Sequence, residues 1–263
     1  MKIFLTLLFV TFFSLGIMAK GLSFDEKKIE YSDGKNIFEG MIFTPKKIKG
    51  IKSYPGMILF HNWIGVSEET ISKARDYAKL GIIVFVADIY GKGIRPKDAK
   101  EAGALATLYK NNRQLLRDRA ELAYNQLLKI KVLDIHHIIA SGYCFGGTTA
   151  LELARSGLPL KMVFSFHGGL SNPQPDDAKN IRAKTYIFHG AIDPYVPKEE
   201  VDAFYREMNQ AQVPYEFIAY SNAVHSFTDK TAGSDVAKGA AYNQDADQSS
   251  FLYAKNLIQS LQK

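Results

Sequence analysis

Apolar positions along this chain follow two alternating patterns. Short unbroken apolar runs at 54–62 (YPGMILFHN) and 82–88 (IIVFVAD) predict strands buried on both faces of a mainly parallel sheet. Between them, Ile71, Ala74, Tyr77 and Ala78 recur at helical spacing, and Gly81 supplies a C-terminal stop, so a helix is predicted over 68–80. The alternation continues downstream. Residues 136–144 (HHIIASGYC) predict a strand running into a glycine turn, with a helix over 148–155. Runs at 162–169, 185–193 and 215–220 predict further strands, with helices over 199–210 and 245–262. The charged stretch 98–130 predicts two helices parted at Asn111-Asn112. Near the start, KKIEYS and NIFEGMIFTP flank Asp33-Gly34, a hairpin signal. Strands alternating with helices predict one α/β domain with a mainly parallel, doubly wound sheet and helices on both faces.

The first residues break this pattern. Lys2 and an apolar run over 3–18, followed by Ala19, read as a cleaved signal peptide over 1–19 and a mature domain over 20–263. A retained N-terminal anchor is the alternative. The expected location is therefore periplasmic or secreted, with no stable membrane span after cleavage, because no later run is long enough to cross a bilayer. The 263-residue chain carries a formal charge of +6. Its cations are scattered and accompanied by acids, so no nucleic-acid partner is expected. A monomer is expected.

The single cysteine, Cys144, excludes an intramolecular disulfide and stands in SGYCFGG, a G-x-C-x-G turn between a strand and a helix. Glycines two residues either side relieve the crowding that a sharp strand–turn–helix imposes on a nucleophile. The helix N-terminus behind it favours a thiolate. A buried cysteine among incidental glycines is the bland reading. Ligands of open α/β sheets bind beyond the carboxyl ends of strands, so the residues there are the site candidates. Asp193 follows Cys144 by 49 positions and His225 follows Asp193 by 32, giving the order nucleophile, acid, histidine. A histidine base oriented by a carboxylate is what a thiol nucleophile needs. The N–H groups of Phe145 and Trp63 are the candidate oxyanion donors. Asn62, Tyr90, Arg95 and His167 are candidate substrate contacts from neighbouring strand ends. The histidines lack metal-ligand spacing, so neither a metal nor another cofactor is expected.

From about Tyr31 onward the chain resembles the dienelactone hydrolase family of α/β-hydrolases, through HNWIGVSEE, VADIYGKG, SGYCFGG, HGAIDPYVP and AVHSFTD. The resemblance implies an α/β-hydrolase fold and a Cys144–His225–Asp193 triad that cleaves a small ester or lactone through a thioacyl-enzyme. It also marks two departures. Asn62 stands where the family type has a glutamate that helps control thiol protonation, and Asp229 stands where it has a substrate-binding arginine. Thioesterase or broad carboxylesterase activity, or a non-catalytic binding protein of the same fold, are the alternative readings.

Overall fold

The computed structural model describes residues 22–262; the leader predicted over 1–19 lies outside them. Eight strands form one sheet: β1 Phe24–Ser32, β2 Ile37–Pro45, β3 Tyr54–Phe60, β4 Ile83–Ala87, β5 Leu133–Tyr143, β6 Met162–Phe166, β7 Lys184–Gly190 and β8 Tyr215–Tyr220. Their order is β1-β2-β4-β3-β5-β6-β7-β8. The hairpin β1–β2 and the pair β2–β4 are antiparallel, and every pairing from β4 onward is parallel. The Asp33 side chain closes the hairpin turn by accepting from the Lys35 and Asn36 N–H groups, and Gly34 takes a φ of +91° there.

Strict alternation along the buried strands divides the core in two. Ile58, Phe60, Ile83 and Phe85 face one side, while Met57, Leu59, Val84 and Val86 face the other. On the first side pack α2 Ala99–Asn111, α3 Arg113–Leu127, α4 Phe145–Arg155 and α5 Lys198–Gln210; on the second pack α1 Glu68–Ala78 and α6 Gln244–Ser260. The fold is the expected single α/β domain. Among the described residues no helix is long and apolar enough to cross a membrane.

Two boundaries differ from the pattern-based expectation in an informative way. Asn112 alone separates α2 from α3; it ends the first helix and caps the second by accepting from the Leu115 N–H. Helix α4 begins at Phe145, three residues before the predicted start. Two glycines in its first turn are poor helix formers, but packing overrides propensity, and every residue of α4 is buried.

The sheet order also locates the site. The chain leaves β3 for β4 on one side and then crosses to β5 on the other, so β3 is where the winding reverses. Its carboxyl end, carrying residues 61–63, lies beside that of β5, which carries Cys144.

Candidate active site

Cys144 adopts φ 55° and ψ −118°, a strained conformation for a residue with a side chain. Three backbone approaches enforce it. A Cβ on Gly142 would lie 2.1 Å from the Gly146 carbonyl oxygen, and one on Gly146 would lie 2.3 Å from the Phe60 oxygen. One on Gly147 would lie 3.0 Å from the Gly168 Cα. The glycines flanking Cys144 are therefore required by contact between β5, α4 and the end of β3.

Cys144 Sγ lies 3.0 Å from His225 Nε2, and His225 Nδ1 lies 2.8 Å from Asp193 Oδ2. Asp193 sits in the turn after β7, where its other oxygen accepts from the Tyr195 N–H at 2.8 Å. His225 is held in its loop by a bridge to Ala240: its N–H donates to Gly239, and its carbonyl accepts from Ala241. The rings of His167 and Tyr195 pack edge-on against the His225 ring at 5.2 and 5.3 Å between centroids.

Electrostatics favour an ion pair. Burial would push the Cys144 thiol up, but the facing His225 charge and hydrogen bond, helped by the Phe145 N–H and Lys110, hold it below the ordinary thiol range. Burial opposes charge on His225 as well. The facing Cys144 and the Asp193 carboxylate outweigh it and raise His225 to about 10. Each of the two groups thus favours the charged form of the other.

A cavity of about 270 Å³ opens over Cys144. Trp63, Phe145, Tyr195 and Val196 give it apolar walls, and His225 and Ser226 line it beside the thiol. Among the described residues the Trp63 N–H donates to no protein acceptor. A further wall comes from α2, through Gly103, Ala106, Thr107 and Lys110. From its charge this segment is expected to be a mostly solvated helical pair that shields the site from one side. The signal was present as i, i+3, i+4, i+7 spacing of small residues ending in a cation, but nothing in that spacing says what the face packs against.

Of the predicted site residues, the structure brings together Cys144, Asp193, His225, Phe145 and Trp63. Asn62, Tyr90, Arg95 and His167 do not line the cavity. Tyr90 is buried and donates its hydroxyl to the Trp63 carbonyl. Arg95 donates to the carbonyls of Val66 and Ile94. His167, at φ 40°, lies buried behind His225 with Nε2 bonded to Thr228 Oγ1 at 2.9 Å. Asn62 donates to the Glu69 carboxylate at 2.7 Å and accepts from the Ile64 N–H at 3.0 Å. His61 orders the same loop as a neutral ring. Its Nδ1–H donates to the Asn62 carbonyl, its Nε2 accepts from the Ile89 N–H, and burial holds it down at about 4. Among the described residues no group of three or more His, Cys, Asp or Glu side chains is placed to hold a metal ion.

Known proteins are similar to this chain in fold and in sequence. The solved structure m3DLH is 34% identical with a TM-score of 0.85, over 90% of this chain and 98% of that one. The dienelactone hydrolase-like promiscuous phosphotriesterase P91 from metagenomic libraries is 33% identical with a TM-score of 0.83, over the same shares. A protein of Escherichia coli O157:H7 named as a carboxymethylenebutenolidase is 25% identical over 196 residues, 70% of each chain. The profile of the dienelactone hydrolase family matches residues 38–261. The chain thus belongs to the dienelactone hydrolase family and is an α/β-fold hydrolase acting on ester bonds.

Proposed function

We propose that the chain hydrolyses small esters or lactones through a Cys144–His225–Asp193 triad and a thioacyl-enzyme. The observation that carries this reading is the unbroken run of short contacts from Asp193 through His225 to Cys144 at the floor of the cavity. The Cys144 thiolate adds to the carbonyl carbon, and the resulting oxyanion is held by the Phe145 and Trp63 N–H groups. The C–O bond to the leaving alcohol breaks as His225 Nε2 gives that oxygen its proton. Neutral His225 then takes a proton from water, the hydroxide adds to the thioester, and the thiolate leaves. Asp193 keeps the ring oriented and stabilises the imidazolium at each stage. The small, mainly apolar cavity suits compact acyl groups. Aryl esters, lactones and thioesters are the substrates to compare.

The test is p-nitrophenyl acetate turnover with mass analysis of the quenched enzyme. Wild type shows an acetyl adduct on the Cys144 peptide, and Cys144→Ala shows neither adduct nor turnover with unchanged circular dichroism. Full turnover by Cys144→Ala refutes the reading. We also propose export, supported by Lys2 and the apolar run over 3–18. Intact-mass measurement of the expressed protein tests it, with loss of residues 1–19 as the expected result and a full-length product in every fraction as the opposing one.

A further inference from the structure

The turn that carries Trp63 is held by several hydrogen bonds. The Asn62 carbonyl accepts from His61 Nδ1–H and the Gly65 N–H, and the Trp63 carbonyl accepts from the Tyr90 hydroxyl. The Ile64 N–H is held by a side chain instead, donating to Asn62 Oδ1 at 3.0 Å. That bond requires one orientation of the Asn62 amide. Rotated by half a turn, the amide would set its NH₂ against the Ile64 N–H, donor against donor. What selects the orientation is Glu69, in the first turn of α1, whose Oε2 accepts from Asn62 Nδ2 at 2.7 Å. A carboxylate only accepts, so it admits the NH₂ and rejects the oxygen. Among the described residues it is the only carboxylate bonded to this turn.

We propose that Glu69 is a positioning residue for the oxyanion turn, fixing the Asn62 amide so that its oxygen holds the Ile64 N–H and thereby sets the Trp63 N–H. The inference rests on the reading of Trp63 as an oxyanion donor. It adds a second role for protons at this site. Glu69 lines a separate cavity of about 510 Å³, shared with Lys73, Asp229 and Asp247, through which solvent reaches it. The charged groups facing it are Asp229, Lys73 of α1 and Asp247 of α6. Burial first, then Asp229, raise the Glu69 carboxyl to about 7, against the pull of Lys73 and the Asn62 bond. Below that pH the carboxyl gains an O–H donor and loses its selectivity for the amide NH₂. The turn is therefore held above about pH 7 and loosened below it.

Trp63 is the only tryptophan in the chain, so its fluorescence reports on the turn directly. The experiment compares wild type, Glu69→Gln and Glu69→Ala. Three readouts are taken: Trp63 emission against pH, kcat and KM for p-nitrophenyl acetate, and the rate of Cys144 alkylation by iodoacetamide. Wild-type emission titrates with a midpoint near pH 7, and both variants lack that step. Displacing an oxyanion donor without removing it lowers kcat about 10- to 100-fold in Glu69→Ala, with KM little changed and a smaller loss in Glu69→Gln, whose amide oxygen still accepts. Cys144 alkylation is unchanged in both, because the nucleophile is untouched. Wild-type kcat in Glu69→Ala, or the same emission step in wild type and Glu69→Gln, overturns the proposal. Should Glu69→Ala fail to fold, the near-isosteric Glu69→Gln carries the test through its pH profiles. Slow alkylation of Cys144 in the wild type would instead count against the thiolate reading.

Discussion

Replacing Asp193 by asparagine separates charge from shape at the triad. Asp193 accepts from the Tyr195 N–H with one oxygen, at 2.8 Å, and from His225 Nδ1 with the other, at 2.8 Å. Asparagine keeps its oxygen on the Tyr195 N–H, so its NH₂ faces Nδ1. Nδ1 must then accept, and the single proton of the neutral ring moves to Nε2, opposite Sγ. His225 rises from 6.5 to about 10 in the wild type, so its charged form is favoured by ~5 kcal/mol. Two anions overcome the cost of burial to leave this net preference, the Cys144 thiolate at 3.0 Å and the Asp193 carboxylate at 2.8 Å. Assigning the carboxylate a little under half, ~2 kcal/mol, the thiolate–imidazolium state weakens roughly 30-fold against the neutral pair. The assay is the rate of Cys144 alkylation by iodoacetamide from about pH 5 to about pH 9, whose rising limb should move up by about 1.5 in Asp193→Asn. Ester turnover falls further, about 10²- to 10⁴-fold, because the wrong tautomer cannot accept a proton from the thiol or from water. An unmoved alkylation limb with turnover within about twofold of wild type would refute the assignment of Asp193 to the pair.

Three other outcomes follow from the same geometry. Gly146→Ala places a methyl 2.3 Å from the Phe60 oxygen and 2.7 Å from the His61 oxygen, both backbone. A loss of ~3 kcal/mol or more in urea unfolding is expected, and an unchanged midpoint would contradict the contact. Among the described residues, Lys110 is the only Lys or Arg that lines the cavity. Lys110→Ala should lower kcat/KM for a carboxylate-bearing phenyl ester about 10-fold more than for a neutral one, and equal losses would remove it from substrate selection. His61 is held at about 4 in the folded chain against an ordinary 6.5, so below pH 6.5 the unfolded chain binds a proton that the folded chain does not. Stability therefore falls by ~3 kcal/mol as pH drops from about 6.5 to about 4 and levels off below, a slope that urea unfolding should find reduced in His61→Gln.

How far the site could be read from the sequence depended on which kind of constraint fixed each residue. Cys144 was legible because the constraint on it is local: the spacing of Gly142 and Gly146 records backbone contacts that no side chain survives. Asp193 and His225 were legible because chain order within a wound sheet limits which strand ends can meet. Tyr90, Arg95, Asn62 and His167 obey the same strand-end rule yet turn away from the cavity. Position at a strand end brings a residue close to the site, but the side chain goes wherever an unpaired polar group needs a partner. Tyr90 and Arg95 go to carbonyls of the 61–66 turn and the loop beside it, and His167 goes to Thr228. That α2 lines the cavity itself, beyond shielding one side of it, is decided by tertiary contacts of its small-residue face, which its spacing does not reveal. The Asn62 departure looks different once its partner is known. An asparagine cannot accept a proton, but it can transmit the preference of a carboxylate that sits seven residues along on α1, and in the sequence that carboxylate is simply one of the acids expected at a helix start. In this chain the carboxylate that bonds Asn62 belongs to Glu69, behind the turn that carries Trp63. Within the proposed mechanism, Glu69 therefore acts on the stabilisation of the intermediate, while ionisation of the thiol rests on His225, backed by Asp193 and helped by the Phe145 N–H and Lys110.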